Sequence, residues 1–78
     1  MGRSFESVRM GTRATSERWL RARRALKVED QPYAERLSEM ARKHAGEGSY
    51  AFDDPLEAAL FSVLIEIVKE IDTRHVDT

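Results

Sequence analysis

The sequence contains no cysteine, two prolines, four glycines and no long apolar run. The absence of cysteine excludes disulfides and thiolate metal sites. The longest apolar stretch, around residues 58–68, is too short and too interrupted to span a bilayer. The N-terminal residues lack the apolar segment of a signal peptide. We therefore expect a cytoplasmic protein that does not enter a membrane.

Motifs for catalysis or cofactor binding are also missing. There is no Gly-rich phosphate loop, and His44 and His75 lie too far apart in sequence to suggest a local metal pair. The acids Asp54 and Glu57 are explained by helix capping, and no partner is visible that would make His44 a general base. We expect no catalytic, cofactor-binding or metal-binding residues, no small-molecule substrate and no enzymatic activity.

The length of 78 residues corresponds to one domain. A chain of this size buries only about 60–65% of the surface that its unfolded form exposes, so a core of its own is marginal. Small domains usually add disulfides, a metal or a partner chain. With the first two not expected, the length favours a homo-oligomer.

The sequence pattern predicts an all-α fold, because no stretch alternates long enough to require a β-sheet. We expect a basic N-terminal arm over 1–12, a three-helix domain over 13–71 and a frayed tail over 72–78. The predicted helices cover about 13–27, 31–45 and 55–71. The first carries Thr15, Trp19, Ala22 and Leu26 on one face, and the second carries Tyr33, Leu37, Met40, Ala41 and His44.

The third predicted helix has the clearest pattern. Asp54 and Pro55 favour a helix start, and Glu57 completes a capping box. Two apolar faces follow, and the polar remainder is one narrow stripe. The first face contains Leu56, Ala59, Leu60, Val63, Leu64, Ile67, Val68 and Ile71, the second contains Ala58, Phe61 and Ile65, and the stripe contains Ser62, Glu66, Lys69 and Glu70.

The third helix has more apolar surface than two neighbouring helices can cover. The uncovered surface is either Phe61, Ile65 and Val68 or the line of Leu60, Leu64, Ile67 and Ile71, depending on which side of the helix the other helices pack against. We predict a homodimer whose interface includes Phe61, Leu64, Ile65 and Val68. The alternative is a monomer in which the arm, with Phe5, Val8 and Met10, folds back together with Tyr50 and Phe52.

Charge is distributed unevenly along the chain. Residues 1–27 contain eight basic and two acidic residues, a net of +6, and residues 28–78 contain five and twelve, a net of −7. Such asymmetry is typical of a basic segment for nucleic acid or of two halves that meet each other. The residues available to phosphates or to an acidic partner are Arg9, Arg13, Arg18, Arg21, Arg24 and Lys27, with Trp19 or Phe5 to stack on bases.

Pairing of these cations with the acids elsewhere is favoured by the overall pI of about 6.1. A helix-turn-helix reading fails because the second predicted helix has no cluster of base-reading side chains. We therefore predict a non-enzymatic protein-interaction or dimerisation module. The alternative is a protein that binds RNA or nonspecific DNA through the arm and the first helix.

Overall fold

The computed structural model describes the backbone of residues 5–77 and the side chains of residues 6–73. Within this part the chain forms four α-helices and no strand, which confirms the all-helical prediction. Two 3₁₀ turns, Arg23–Ala25 and Val28–Asp30, join the first two helices. The α-helices are α1 (Phe5–Ala22), α2 (Gln31–Lys43), α3 (Ala45–Ala51) and α4 (Pro55–Asp77).

The helix boundaries differ from the sequence prediction at both ends. The segment predicted as an arm is helical from Phe5 onward, and its residues 1–4 lie outside the described part. Val8 and Thr12 are buried there, and the Thr12 hydroxyl donates to the carbonyl oxygens of Val8 (2.9 Å) and Pro55 (3.4 Å). This docking against the start of α4 gives residues 5–12 the tertiary contacts that a free arm lacks. α4 also extends through the predicted tail to Asp77.

A fourth helix, α3, occupies most of the segment between the second and third predicted helices. The turn at His44 separates α2 from α3, and Gly46 and Gly48 lie inside α3 with ordinary negative φ angles. Gly48 is buried against Ala58, where an added Cβ would lie 3.1 Å from the Ala58 Cβ. Close contact with α4, rather than helix termination, accounts for a small residue at this position.

α1, α2 and α4 pack against one another in pairs, and α3 packs against α1 and α4. The Cα atoms span 44 × 34 × 13 Å. A thickness of 13 Å is about one interaxial distance of 8–10 Å plus one Cα cylinder of about 4.6 Å. The domain is therefore about two helical layers thick, and its helices keep uncovered sides.

The interior is built from small side chains. Among residues 6–73 the largest buried apolar residue is valine, while every described Leu, Ile, Met, Phe, Tyr and Trp is at least partly exposed. Trp19 and Met40 pack only in part against the central cluster of Ala41, Ala59 and Val63. The buried residues are Val8, Thr12, Thr15, Ser16, Ser38, Ala41, Ala45, Gly48, Ser49, Pro55, Ala58, Ala59, Ser62 and Val63.

Buried hydroxyl groups connect the helices. Ser38 of α2 donates to the Ser16 carbonyl oxygen at 2.8 Å, and Ser62 of α4 donates to the Met40 carbonyl oxygen at 2.5 Å. No buried side-chain N or O in the described part lacks a hydrogen-bond partner. Small residues let the helix backbones approach closely, and these bonds satisfy the polar groups that the approach buries.

Candidate interaction surfaces

The side of α4 that faces solvent carries seven large apolar side chains, which are 37–62% exposed. We call this set the outer face. Its opposite side, with Ala58, Ala59, Ser62 and Val63, is buried. The outer face consists of Leu56, Leu60, Phe61, Leu64, Ile67, Val68 and Ile71.

The orientation of α4 corrects one sequence interpretation. Ser62 and Glu66 were assigned to the narrow polar stripe, outside the two apolar faces, but Ser62 is fully buried and the Glu66 side chain is only 12% exposed. The neighbouring helices pack on this small and polar side because it permits closer approach than a row of Leu and Ile. Both apolar lines that competed for the interface consequently lie toward solvent.

The residues predicted for a dimer interface are mostly on the outer face. Phe61, Leu64 and Val68 belong to it, and Ile65 is half-buried at its margin. The Phe61 ring also contacts Phe52 edge to face, with centroids 5.2 Å apart. Tyr50, assigned to the covering segment of the monomer alternative, is exposed.

A second apolar feature lies where α1 meets α2. Trp19, Leu26 and Leu37 line a shallow hollow of about 220 Å³, together with Ala22 and Ala34. The stripe of Trp19, Ala22 and Leu26 that the sequence pattern indicated therefore faces α2. It leaves Leu26 and Leu37 partly exposed.

The exposed side of α1 and the segment that follows its last residue, Ala22, are basic: Arg13 and Arg21 lie on α1, Arg24 lies in the first 3₁₀ turn, and Lys27 lies between the two turns. Arg13, Arg21, Arg24 and Lys27 are exposed, and in the described part no carboxylate lies within 4.0 Å of their charged groups. We call these four residues the basic face. The other predicted cations have local partners: Arg9 is 3.8 Å from Glu6, and Arg18 donates to the Thr15 hydroxyl at 3.0 Å.

Only one ion pair in the described part joins the basic segment to the acids elsewhere. Arg23 lies 3.6 Å from Glu35, and its guanidinium also donates to the Leu20 carbonyl oxygen at 2.7 Å. Within one chain, therefore, most of the ion pairs expected between the basic N-terminal segment and the acids elsewhere do not form. Six of the acidic residues between 28 and 57 form no ion pair in the described part of the chain. They are Glu29, Asp30, Glu39, Asp53, Asp54 and Glu57.

His44 connects three helices through a pair of carboxylates. Its Nδ1 is 2.8 Å from Glu47 Oε1, and its Nε2 is 2.7 Å from Glu66 Oε2. Its backbone N–H donates to the Ser62 hydroxyl at 2.9 Å. No local spacing could reveal Glu66 as a partner of His44, because 22 residues separate the two along the chain.

The electrostatics of this group follow from those contacts. Hydrogen bonds to Glu47 and then to Glu66 raise the pKa of His44 above its usual 6.5. Hydrogen bonds from His44 and then from Lys69 lower the pKa of Glu66 below 4.5. The charged forms of both groups are therefore favoured in the folded chain, and the arrangement is an ion pair that holds the α2–α3 junction against α4.

A further hollow lies between α2 and α4. This hollow of about 380 Å³ beside Glu66 is lined by charged side chains, Met40 and Pro32, and by no Ser, Thr, Cys or His. In the described residues no group of three or more His, Asp or Glu side chains could hold a metal ion. The same residues contain no helix with the length and hydropathy needed to cross a membrane.

These features define a small all-helical domain with small residues inside, an apolar outer face on α4 and a basic face on α1. A family model for a domain of unknown function, DUF8156, matches residues 1–77, and the chain belongs to this family. Comparison with curated proteins and with solved structures gave no match.

Proposed function

We propose that this chain is a non-enzymatic interaction module that forms a homodimer through the outer face of α4. The observation that carries the proposal is the reversed arrangement of α4, with its small residues inward and seven large apolar residues outward. A contiguous apolar face of this kind is typical of a binding surface, whereas single exposed apolar residues are not.

The magnitude of the burial supports association. About half of the surface of each outer-face side chain is exposed. Full burial of such a side chain contributes about 1.5–3 kcal/mol, so covering the exposed half of all seven contributes about 5–10 kcal/mol per protomer. Two protomers contribute about 10–20 kcal/mol as an upper estimate, against a cost of association of about 4–15 kcal/mol.

The pattern of the outer face favours a second copy of this chain as the occupant. A twofold interface must be self-complementary, because the same patch contributes from both sides. When two α4 helices run antiparallel with the axis near Leu64, Leu60 lies opposite Val68 of the partner subunit and Phe61 opposite Ile67 of the partner subunit. Apolar positions then meet apolar positions around the centre of the helix.

The dimer also supplies what the thin domain lacks. A single chain buries no large apolar side chain among residues 6–73, and its two layers leave α4 uncovered. Packing α4 against a second α4 places Leu, Ile and Phe between two domains and so creates a larger apolar core. A cytoplasmic location for this module stays a prediction from the sequence.

The solution mass tests the proposal. Sedimentation equilibrium across micromolar concentrations should give twice the 9.0 kDa of one chain, with dissociation on dilution. A mass of 9.0 kDa at every concentration contradicts the proposal. If the protein forms an assembly whose mass does not change when acidic residues are introduced on the outer face, another surface is responsible for self-association.

A further inference from the structure

We infer that the basic face of α1 binds the phosphate backbone of a nucleic acid duplex without reading its base sequence. The inference goes beyond self-association and does not depend on it, because the basic face and the outer face of α4 are on different helices. A dimer would present the basic face twice.

The first support is uncompensated charge. Residues 6–27 contain seven basic and two acidic residues, a net of +5, and only Glu35 reaches this segment from elsewhere in the described part. Arg13 and Arg21 lie on the side of α1 opposite Val8, Thr12 and Thr15, which are buried, and Arg24 and Lys27 are exposed just beyond the end of this helix. Their charge is therefore available to an external polyanion.

The spacing of the cations suits a repeating anion. Arg13 and Arg21 are eight residues apart on α1, about 12 Å at 1.5 Å per residue, and Arg24 and Lys27 follow within six residues of Arg21. One strand of a duplex carries a phosphate about every 3.4 Å, so the helical part alone corresponds to roughly three to four phosphates. Three of the four cations are arginines, whose planar guanidinium groups bind phosphate oxygens in pairs.

The chemistry around the basic face favours a phosphate backbone over bases or over an acidic protein. Residues 6–27 contain no Asn or Gln, and Glu17 lies among the cations, which limits close contact with base edges. Trp19 packs toward the central cluster, so the base stacking that the sequence suggested for it is not available on this side. An acidic protein carries no fixed repeat of anions, whereas one strand of a duplex carries a phosphate about every 3.4 Å.

Fluorescence anisotropy with the full chain tests the inference. The probes are a labelled mixed-sequence DNA duplex, an RNA duplex of the same length, and labelled polyglutamate. Four phosphate contacts give a slope of log affinity against log salt of about −3.6 per protomer on DNA. The affinity should then fall about 150-fold between 50 and 200 mM salt.

A pair of double variants identifies the surface. Arg21→Gln with Arg24→Gln should weaken duplex binding and reduce the slope by about 1.8, because two phosphate contacts are lost. The matched control, Arg42→Gln with Lys43→Gln, removes the same charge from exposed positions of α2 and should bind like the unmodified chain. All four positions are exposed, and far-UV circular dichroism verifies that each variant is folded.

Several outcomes overturn the inference. They are an absence of duplex binding at low salt, equal losses in the two double variants, and polyglutamate binding as tight as duplex binding. The last outcome would assign the basic face to an acidic protein partner. Tighter binding to DNA or to RNA identifies which duplex supplies the phosphates.

Discussion

Replacing Leu64 by Glu perturbs the proposed dimer at the centre of the outer face. Leu64 is 57% exposed in the single chain, so the new carboxylate can remain in water there. Surface substitutions of this kind change the free energy of unfolding by about 0.5 kcal/mol or less. The variant should therefore keep the fold of the chain and act on association.

The effect on association is larger. Burial of the exposed 57% of Leu64 contributes about 1–2 kcal/mol per copy, and a twofold interface contains two copies, so about 2–3.5 kcal/mol is lost. Two carboxylates brought together near the axis add a desolvation cost of several kcal/mol. A total above about 4 kcal/mol raises the dissociation constant at least about 1,000-fold.

The assay is sedimentation equilibrium combined with far-UV circular dichroism. The control is Met10→Glu, which places the same acid at a similarly exposed apolar position on α1, where the side chain is 66% exposed. Leu64→Glu should sediment as one chain, and Met10→Glu should sediment as the unmodified protein does. Since stability can be linked to dimerisation, Leu64→Ala provides a milder variant whose melting temperature should depend on protein concentration.

A dimer interface on the outer face is refuted if Leu64→Glu retains the mass of a dimer. It is equally refuted if Met10→Glu dissociates the protein to the same extent, because charge alone would then explain the effect. If Leu64→Glu does not fold, the dissociation constant of Leu64→Ala decides the question: a dimer as tight as that of the unmodified protein rules out this interface.

Three further predictions concern the interior. Gly11→Ala should lower the free energy of unfolding in urea by about 1–3 kcal/mol, because its Cβ would lie 2.6 Å from the Pro55 ring. Gly46→Ala, whose Cβ would have nothing within 4 Å, should raise the free energy of unfolding by about 0.4–1 kcal/mol. Equal effects of the two variants would contradict the contact between Gly11 and Pro55. Ser62→Ala should cost about 1–3 kcal/mol because the His44 N–H loses its acceptor, and an unchanged urea midpoint would refute it. The melting temperature should decline as pH rises through the raised pKa of His44 and as pH falls through the lowered pKa of Glu66, so the pair contributes its full stability between about pH 4.5 and 6.5. His44→Gln should flatten this dependence of melting temperature on pH. An unchanged pH profile in this variant would exclude the His44–Glu66 pair as its source.

Local chemistry made the helices predictable. Asp54 caps α4 as the sequence indicated, with its Oδ1 accepting from the Leu56 N–H at 3.1 Å, and Pro55 occupies the first turn. Asp30 precedes α2 and has a side chain that commonly caps helices, but it forms no capping hydrogen bond. A proline and an apolar period are sufficient to indicate a helix, whereas the geometry of a cap depends on how the chain enters it.

The ends of α1 and the presence of the short helix α3 could not be predicted from the sequence pattern. Gly11 and Gly48 are of a residue type that commonly interrupts or ends helices, yet both lie inside helices and permit close contact, with Pro55 and with Ala58. A glycine in a sequence carries the same local preference in either role. Only the neighbouring helix distinguishes a helix terminator from a contact between backbones.

The sequence by itself determined that the chain is helical, that its charge is divided and that α4 has more apolar surface than the other helices can cover. Tertiary structure decided which side of α4 faces inward, that His44 meets Glu66, and that Arg21, Arg24 and Lys27 face solvent instead of carboxylates in the single chain. The periodicity of a helix defines its faces but not their neighbours. The side of α4 with small residues faces inward because it allows the other helices to approach α4 closely.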